Sequence, residues 1–457
     1  MTETSYDVVV IGAGPAGEVC AGRLAAGGLE VALVEGHLVG GECSYYACMP
    51  SKALLRPAQA LAEVRRVPGA REAANGDLDV VGALSRRDEV IHNLDDSGQL
   101  PWLEERGASL VRGRGKLAGE RRVEAGEDTL VARKAVVVAT GSGPAIPPVA
   151  GLREAQPWTN REATTAKAVP RRLLVLGGGI VGVELAQAWA SLGSQVTIVE
   201  PASRLIGREE PFAGEQVLAG LKRAGVDVRC SSTATRVEAA GGEVSLELES
   251  GERLVGDELL VAAGRRPNTD DLGVETLGLE PGQPIAVDDG LLAEGFDWLY
   301  AIGDVNGRAL LTHMGKYQGR IAADRILGRD RRIRAVADGP MSPRVIFTDP
   351  QVAAVGHTLE SAEDAGLRAR AVDFPSAAVA GASFVAKDTP GTFRLVVDEE
   401  RRLVVGATIA GSEIAEFLHA ATIAVVGEVP LELLWHAVPS FPTRSEVWLR
   451  LLEEYGL

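Results

Sequence analysis

The chain has 457 residues, 46 % of them apolar and 24 % charged, enough for several hydrophobic cores and about three domains at ~150 residues each. A net charge of −16 and the lack of any basic stripe exclude a nucleic-acid partner. No apolar run approaches the ~20 residues of a bilayer span, and the opening residues 1–7 carry no basic segment followed by an apolar one, so no membrane association and a cytoplasmic location are expected.

In chain order, Val8-Val9-Val10-Ile11 predicts a buried parallel strand, followed by the turn Gly12-Ala13-Gly14-Pro15-Ala16-Gly17 and a helix. A second strand, Val31-Ala32-Leu33-Val34, ends at Glu35. Gly12, Gly14 and Gly17 would let the backbone approach a pyrophosphate lying at the helix N-terminus, with Glu35 accepting from ribose hydroxyls. A glycine turn alone is common between strand and helix, but here both flanks are of the right kind.

The four cysteines are Cys20, Cys43, Cys48 and Cys230. That is too few for a disulfide scaffold, so a pair close in sequence suggests catalysis or metal binding. Cys43 and Cys48 lie in Gly40-Gly41-Glu42-Cys43-Ser44-Tyr45-Tyr46-Ala47-Cys48-Met49-Pro50-Ser51-Lys52. Five residues apart on an ideal helix, two Cα atoms are separated by roughly 8.6 Å, whereas a disulfide needs less than about 7 Å. A bridge therefore requires a distorted turn, for which the flanking glycines and Pro50 are suited. Such a bridge would be easier to reduce than a relaxed one. Zinc binding would need a second ligand pair, and none follows. Two unconnected buried thiols are the second reading, and a redox-active pair is favoured by its place after a dinucleotide unit. Tyr45 and Tyr46, between the cysteines, either shape an aromatic or quinone pocket or pack ordinarily.

The glycine pattern returns at Gly177-Gly178-Gly179-Ile180-Val181-Gly182, after the strand Leu173-Leu174-Val175-Leu176, and a further strand ends at Glu200. The same 23-residue interval separates Gly12 from Glu35 and Gly177 from Glu200. Two such units imply two dinucleotide sites, one for a held flavin and one for an exchanging nicotinamide. Glu200 favours NAD(H) over NADP(H), because a carboxylate repels a 2′-phosphate; nearby Arg204 would soften that preference.

The cysteine segment resembles the active-site motif of the class I pyridine nucleotide-disulfide oxidoreductases, which include dihydrolipoamide dehydrogenase, glutathione reductase and mercuric reductase. The resemblance extends through Ala139-Thr140-Gly141-Ser142, Ala262-Ala263-Gly264-Arg265-Arg266-Pro267-Asn268-Thr269, Tyr300-Ala301-Ile302-Gly303-Asp304, Leu311-Thr312-His313 and Phe347-Thr348-Asp349-Pro350. It implies an α/β fold with two Rossmann-like dinucleotide-binding domains, for FAD and NAD, plus a C-terminal α+β dimerisation domain. The implied division is 1–150 and 273–338 for FAD, 151–272 for the nicotinamide nucleotide and 339–457 for the interface of a homodimer.

In the resemblance, Cys48 is the flavin-facing thiolate and Cys43 the thiol that meets substrate, with Lys52 beside the flavin ring paired to Glu184. Gly12, Gly14, Gly17, Glu35, Gly41, Gly115, Thr140, Gly141, Asp304, Thr312 and His313 fall on the flavin side. Gly177, Gly179, Gly182, Glu200 and Gly264 fall on the nicotinamide side.

The departure lies near the C-terminus. Relatives that reduce dithiol substrates carry His-Pro-Thr-x-x-Glu, whose histidine moves the thiol proton. Here Pro442-Thr443 and Glu446 align, and Phe441 takes the histidine's place. A phenyl ring accepts no proton, and acid–base help contributes about 10²–10⁴-fold. Glu446 then has no imidazole to orient, and His436, five residues upstream, would reach the site only if its loop folds back. Ordinary lipoamide or glutathione turnover is thus disfavoured. Mercuric reductase is disfavoured too, because no cysteine follows Cys230. The leading expectation is electron flow from NADH through FAD to Cys43–Cys48 and an unidentified small-molecule substrate. The alternatives are an NADH:quinone reductase that does not need the cysteines, a relative of the 2-ketopropyl-coenzyme M carboxylase branch, which shares the phenylalanine, and a non-enzymatic redox-sensing flavoprotein.

Overall fold

Strand β1 (Glu3–Ile11), helix α1 (Pro15–Ala26) and strand β2 (Val31–Glu35) open the computed structural model, which describes residues 3–386 and 390–457. Val8–Ile11 is buried on both faces, as a run of β-branched residues in a parallel sheet must be. Its register places Val8 opposite Val31 and Ile11 opposite Val34. Pro15 starts α1, where its missing N–H would have had no helical partner.

The chain forms two compact units. The first comprises residues 1–50, 88–144 and 265–339. Its main sheet adds β3 (Ala108–Arg112), β4 (Gly115–Leu117), β5 (Arg122–Ala125) and β6 (Asp128–Val138), in the order β3-β2-β1-β6-β5-β4. The strand Leu299–Ala301 pairs in parallel with β6. One face is filled by Val8, Val10, Leu24, Leu33 and Val137, the other by Val9, Ile11, Val34, Val136 and Leu299. The helix Thr312–Ile326 lies on α1 at backbone distance: a Cβ on Gly319 would stand 2.6 Å from the Ala16 carbonyl oxygen. Only glycine permits that approach.

The second unit comprises residues 51–87, 145–264 and 340–457. Its parallel sheet runs Asp227–Arg229, Gln195–Val199, Arg172–Leu176, Glu258–Val261, with the helix Ile180–Ser191 following the second glycine turn. Trp189, fully buried, packs with Leu54, Leu173, Val183 and Ile346. A three-stranded antiparallel sheet spans Ala234–Ala240, Glu243–Leu248 and Arg253–Gly256. The C-terminal part carries a five-stranded antiparallel sheet, with Gln351–Gly356 and Leu403–Gly411 paired inside it and the helices Leu418–Val426 and Val447–Tyr455 following. The fold is therefore α/β, with two Rossmann-like units and a C-terminal α+β portion. Among the described residues, no helix is long and apolar enough to cross a membrane.

Candidate redox and nucleotide sites

The two glycine turns repeat one geometry. A Cβ on Gly12 would lie 2.4 Å from the Ala139 carbonyl oxygen, and one on Gly177 would lie 2.5 Å from that of Ala262. On Gly17 it would meet Gly12 O at 1.9 Å, and on Gly182 it would meet Gly177 O at the same 1.9 Å. Gly14 and Gly179, the middle glycines, have nothing within 4 Å. The outer glycines thus close strand on helix, while the middle one faces open space at a helix N-terminus. That is the shape and polarity a pyrophosphate requires.

The acidic ends match as well. Glu35 accepts from the backbone N–H of Ala13 and of His37, both at 2.7 Å; Glu200 accepts from Gly178 at 2.6 Å and Ala202 at 2.7 Å. Each carboxylate is pinned at the strand end beside its cradle. Arg204 donates to the carbonyl of Gly207 at 2.8 Å, so its guanidinium is engaged within its own loop.

Around the first cradle, Gly41 (φ +60°) brings the cysteine segment onto the turn: a Cβ there would stand 2.8 Å from Gly14 Cα. Thr140 and Asn268 exchange hydrogen bonds, Thr140 Oγ1 to Asn268 O at 3.0 Å and Asn268 Nδ2 to Thr140 O at 2.9 Å, beside Gly141 at φ +71°. Gly115 lies in β4 with a would-be Cβ against Ile11 and Val34, so packing alone explains its size. Gly264, at φ +123° in the second unit, has nothing within 4 Å.

The cysteines sit on two different helices. Cys43 lies in α2 (Gly41–Tyr45) and Cys48 is the first residue of α3 (Cys48–Arg66), with Tyr46 at φ −133° between them. The distorted turn expected from the spacing therefore falls at Tyr46–Ala47. Pro50 does not create it; it lies in the first turn of α3, where an N–H has no helical acceptor in any case. The interruption brings the two thiols into hydrogen-bond contact. Cys48 Sγ also lies 3.2 Å from Thr312 Oγ1. The Cys43 thiol is held far above its ordinary range, first by the bond to Cys48, then by burial and the charge of Cys48. The Thr312 hydroxyl and the Lys316 ammonium pull it the other way. Cys48, at the positive end of a long helix, is the better placed of the two to carry a negative charge. Tyr45 and Tyr46 are buried with Ile91, and Tyr46 Oη lies 3.0 Å from His37 Nε2; packing, not a pocket wall, is their arrangement. His313 follows Thr312 at the start of its helix and is exposed.

In the second unit, Lys52 Nζ donates to Glu184 Oε2 at 2.7 Å, and Glu184 is 3 % exposed. The other carboxylate oxygen accepts from Phe347 N at 2.8 Å, and the Lys52 ammonium lies 4.8 Å from the centre of the Phe347 ring. Phe347 is a third member that spacing does not announce, although its Phe-Thr-Asp-Pro segment belongs to the family resemblance.

Sequence reasoning also missed a charge network in the first unit. Asp304 accepts from Ser142 Oγ at 2.6 Å, Arg265 Nε donates to that hydroxyl at 2.7 Å, and Arg265 Nη2 donates to Glu42 at 3.0 Å. Burial raises the pKa of Asp304; Ser142 and Arg265 counter this, and the charge of Glu42 adds to it. In the sequence Arg265 stands out only as part of a turn motif.

Near the C-terminus, Phe441 is 75 % exposed. Arg444 holds its segment by donating to the carbonyls of Ser412 at 2.8 Å and Glu413 at 3.2 Å. Glu446 Oε1 accepts from Arg450 at 3.0 Å, while its Oε2 is buried with no hydrogen-bond partner among the described residues. His436 is exposed, edge-on to Trp435 at 5.1 Å between ring centres.

Two cradles of one geometry, with a thiol pair on the first, suit a flavoenzyme that works with a pyridine nucleotide. The chain is a member of the pyridine nucleotide-disulphide oxidoreductase family, whose model matches residues 6–319, and the family's dimerisation domain matches residues 342–451. It is 31 % identical over 454 residues to a mercuric reductase of Lysinibacillus sphaericus, covering 98 % of this chain and 82 % of that one. To a dihydrolipoyl dehydrogenase of Thermus scotoductus it is 32 % identical over 450 residues, covering 97 % and 95 %. Among solved structures it resembles the HOCl-induced flavoprotein disulfide reductase RclA of Escherichia coli, at TM-score 0.85 and 27 % identity over 98 % of this chain and 99 % of that one. LpdA of Mycobacterium tuberculosis, at TM-score 0.86 and 24 % identity over 100 % of both chains, shares the fold. The chain is thus an FAD-dependent oxidoreductase that uses a pyridine nucleotide, and its dimerisation domain points to a homodimer.

Proposed function

We propose that this enzyme passes electrons from NADH to the Cys43–Cys48 pair and from there to a small oxidant other than lipoamide or glutathione. The observation that carries this is the thiol pair at the first cradle, Cys48 against Thr312 and Cys43 against Cys48. FAD, when bound, accepts hydride from the nicotinamide and delivers two electrons to a disulfide. Gly12, Gly14, Gly17, Gly41, Glu35, Thr140, Gly141, Asp304, Thr312 and His313 would hold it. Cys48 carries the negative charge of the reduced pair and Cys43 keeps the proton and meets the substrate. Lys52, held by Glu184, would supply the cation that the family resemblance assigns to the flavin ring. Phe441 and Glu446, from the partner copy of a homodimer, close the substrate side without an acid–base imidazole. The division into segments 1–150 with 273–338, 151–272 and 339–457 and a cytoplasmic location belong to the same reading.

Anaerobic titration of the full-length flavoprotein with NADH tests it. A long-wavelength thiolate–flavin band at two electrons is the expected result; direct bleaching of the flavin overturns it. An acceptor panel of lipoamide, a quinone, Hg(II) and Cu(II) then defines the substrate class. Cu(II) is included because a structure of the Escherichia coli relative is its Cu(II) complex.

NADH is proposed as the donor because Gly177, Gly179 and Gly182 form the cradle and Glu200 is fixed beside it by two N–H groups, while Arg204 is engaged by its own loop. Glu200→Ala is expected to narrow the preference for NADH over NADPH by about tenfold, the effect of removing one carboxylate–phosphate repulsion of ~1.4 kcal/mol. The ratio of kcat/KM for the two nucleotides measures it, and an unchanged ratio removes Glu200 from the selection.

A further inference from the structure

The helix α2 that carries Cys43 has only five residues, and isolated helices shorter than ~12 residues are marginal in water. Two glycines of positive φ, Gly40 at +110° and Gly41 at +60°, lead into it, and no side chain caps its start. The position of Cys43 therefore depends on what α2 touches. At its last residue, Tyr45 is buried in a cluster with Tyr46 and Ile91. In its first turn the one charged side chain, Glu42, accepts from Arg265 Nη2 at 3.0 Å. Cys43 stands between these two anchors.

The same guanidinium also serves Asp304, which the family resemblance places on the flavin. Arg265 Nε donates to Ser142 Oγ at 2.7 Å and lies 3.7 Å from Asp304 Oδ2, and Nη2 also donates to the Ser142 carbonyl. Ser142 Oγ in turn donates to Asp304 at 2.6 Å. The backbone is fixed as well, since Arg265–Pro267 pairs antiparallel with Ser142–Pro144. The side chains of Glu42, Arg265 and Asp304 are 20 %, 21 % and 24 % exposed, so water screens this set only in part. One cation thus stands between two carboxylates whose charges oppose each other.

We propose that Arg265 is a positioning residue for two groups at once: through Ser142 it orients Asp304 for the flavin, and through Glu42 it fixes the helix that presents Cys43. The proposal rests on the reading of Asp304 as a flavin-holding residue and of Cys43 as the substrate-facing thiol. Loss of the Glu42 contact frees the start of α2, exposes Cys43 and draws it from Cys48, whose hydrogen bond holds the Cys43 thiol above its ordinary range. Both changes quicken reaction of the thiol. Loss of the guanidinium itself also leaves Asp304 with Ser142 alone and without the cation that opposes its burial.

Two rates measured on the full-length flavoprotein test this. One is iodoacetamide alkylation of Cys43 after reduction by dithiothreitol, located by tandem mass spectrometry; the other is FAD release, followed as flavin fluorescence on dilution. E42Q is expected to raise alkylation by about tenfold, the effect of one lost charge-assisted hydrogen bond, and to leave FAD release within about threefold of wild type. R265A is expected to raise both rates by about tenfold or more. Adding E42Q to R265A gives no further rise in alkylation, because the contact is already gone. R265K has one ammonium and no fork, so it is expected to hold FAD nearly as wild type does and to alkylate as E42Q does. Unchanged alkylation in E42Q, effects that multiply in the double variant, or FAD release unchanged in R265A overturns the proposal. If R265A does not retain flavin on purification, E42Q and R265K decide, and wild-type alkylation in R265K overturns it. Because dithiothreitol rather than NADH reduces the pair, failure of flavin–thiol coupling in the NADH titration leaves these rates untouched. The two readings therefore fail separately.

Discussion

Replacement of Cys43 by serine is expected to produce a long-wavelength thiolate–flavin band before any NADH is added. The remaining Cys48 thiol can no longer be consumed in a disulfide. Its position at the N-terminus of α3, 3.2 Å from Thr312 Oγ1, stabilises the anion. Turnover with the acceptor that depends on the pair should fall by about 100-fold or more, since the group that meets substrate is gone. Cys48→Ser should abolish the band as well as the turnover. The two variants thus separate a thiol that faces the flavin from one that faces the substrate. The quinone-reductase alternative makes the opposite forecast. If Cys43→Ser leaves NADH–quinone turnover unchanged and no other acceptor shows cysteine dependence, the electrons bypass the pair.

Restoring the proton shuttle is the second large effect. Phe441→His is expected to raise lipoamide reduction by about 10²-fold, the lower end of what a placed acid–base group supplies. Glu446 is suited to orient the new imidazole, because one carboxylate oxygen is engaged by Arg450 while the other is buried and unpartnered among the described residues. Adding Glu446→Gln should then remove much of the gain. If Phe441→His gives no rise in a variant that retains flavin, the substrate pocket itself has changed, and the missing histidine is a consequence of that change.

The glycine cradles were legible in the sequence because backbone geometry imposes them. An outer glycine that would otherwise place a Cβ 1.9 Å from a carbonyl oxygen has no substitute, so its spacing together with the flanking strand and helix identifies it. Lys52 and Glu184 are indeed in contact, and they could be named because the family motif supplies both positions. Phe347, which completes that contact, lies 163 residues beyond Glu184, and no local period connects the two. The same holds for Arg265 with Glu42. A charge carries no mark of its distant partner. The distorted turn that the spacing requires lies at Tyr46–Ala47 rather than at Pro50, because proline inside a first turn breaks nothing. Tyr45 and Tyr46 could not be assigned from sequence, since pocket walls and core packing use the same aromatic residues.

The matching cradles also bear on how long each nucleotide stays bound. Gly12, Gly14 and Gly17 reproduce the steric pattern of Gly177, Gly179 and Gly182, and Glu35 is held as Glu200 is. Backbone cradles this similar provide no reason for one ligand to dwell for the life of the protein and the other to leave at every turnover. If, as proposed, the first cradle holds the flavin, the difference in dissociation rate arises outside the cradles, from groups that among the described residues gather around the first: the Thr140–Asn268 exchange, Asp304 with Ser142 and Arg265, and the cysteine segment laid against Gly14 by Gly41. On that proposal residence time is a property of the surround, and loosening Asp304 or Arg265 is expected to speed loss of the flavin without altering the geometry that the two cradles have in common.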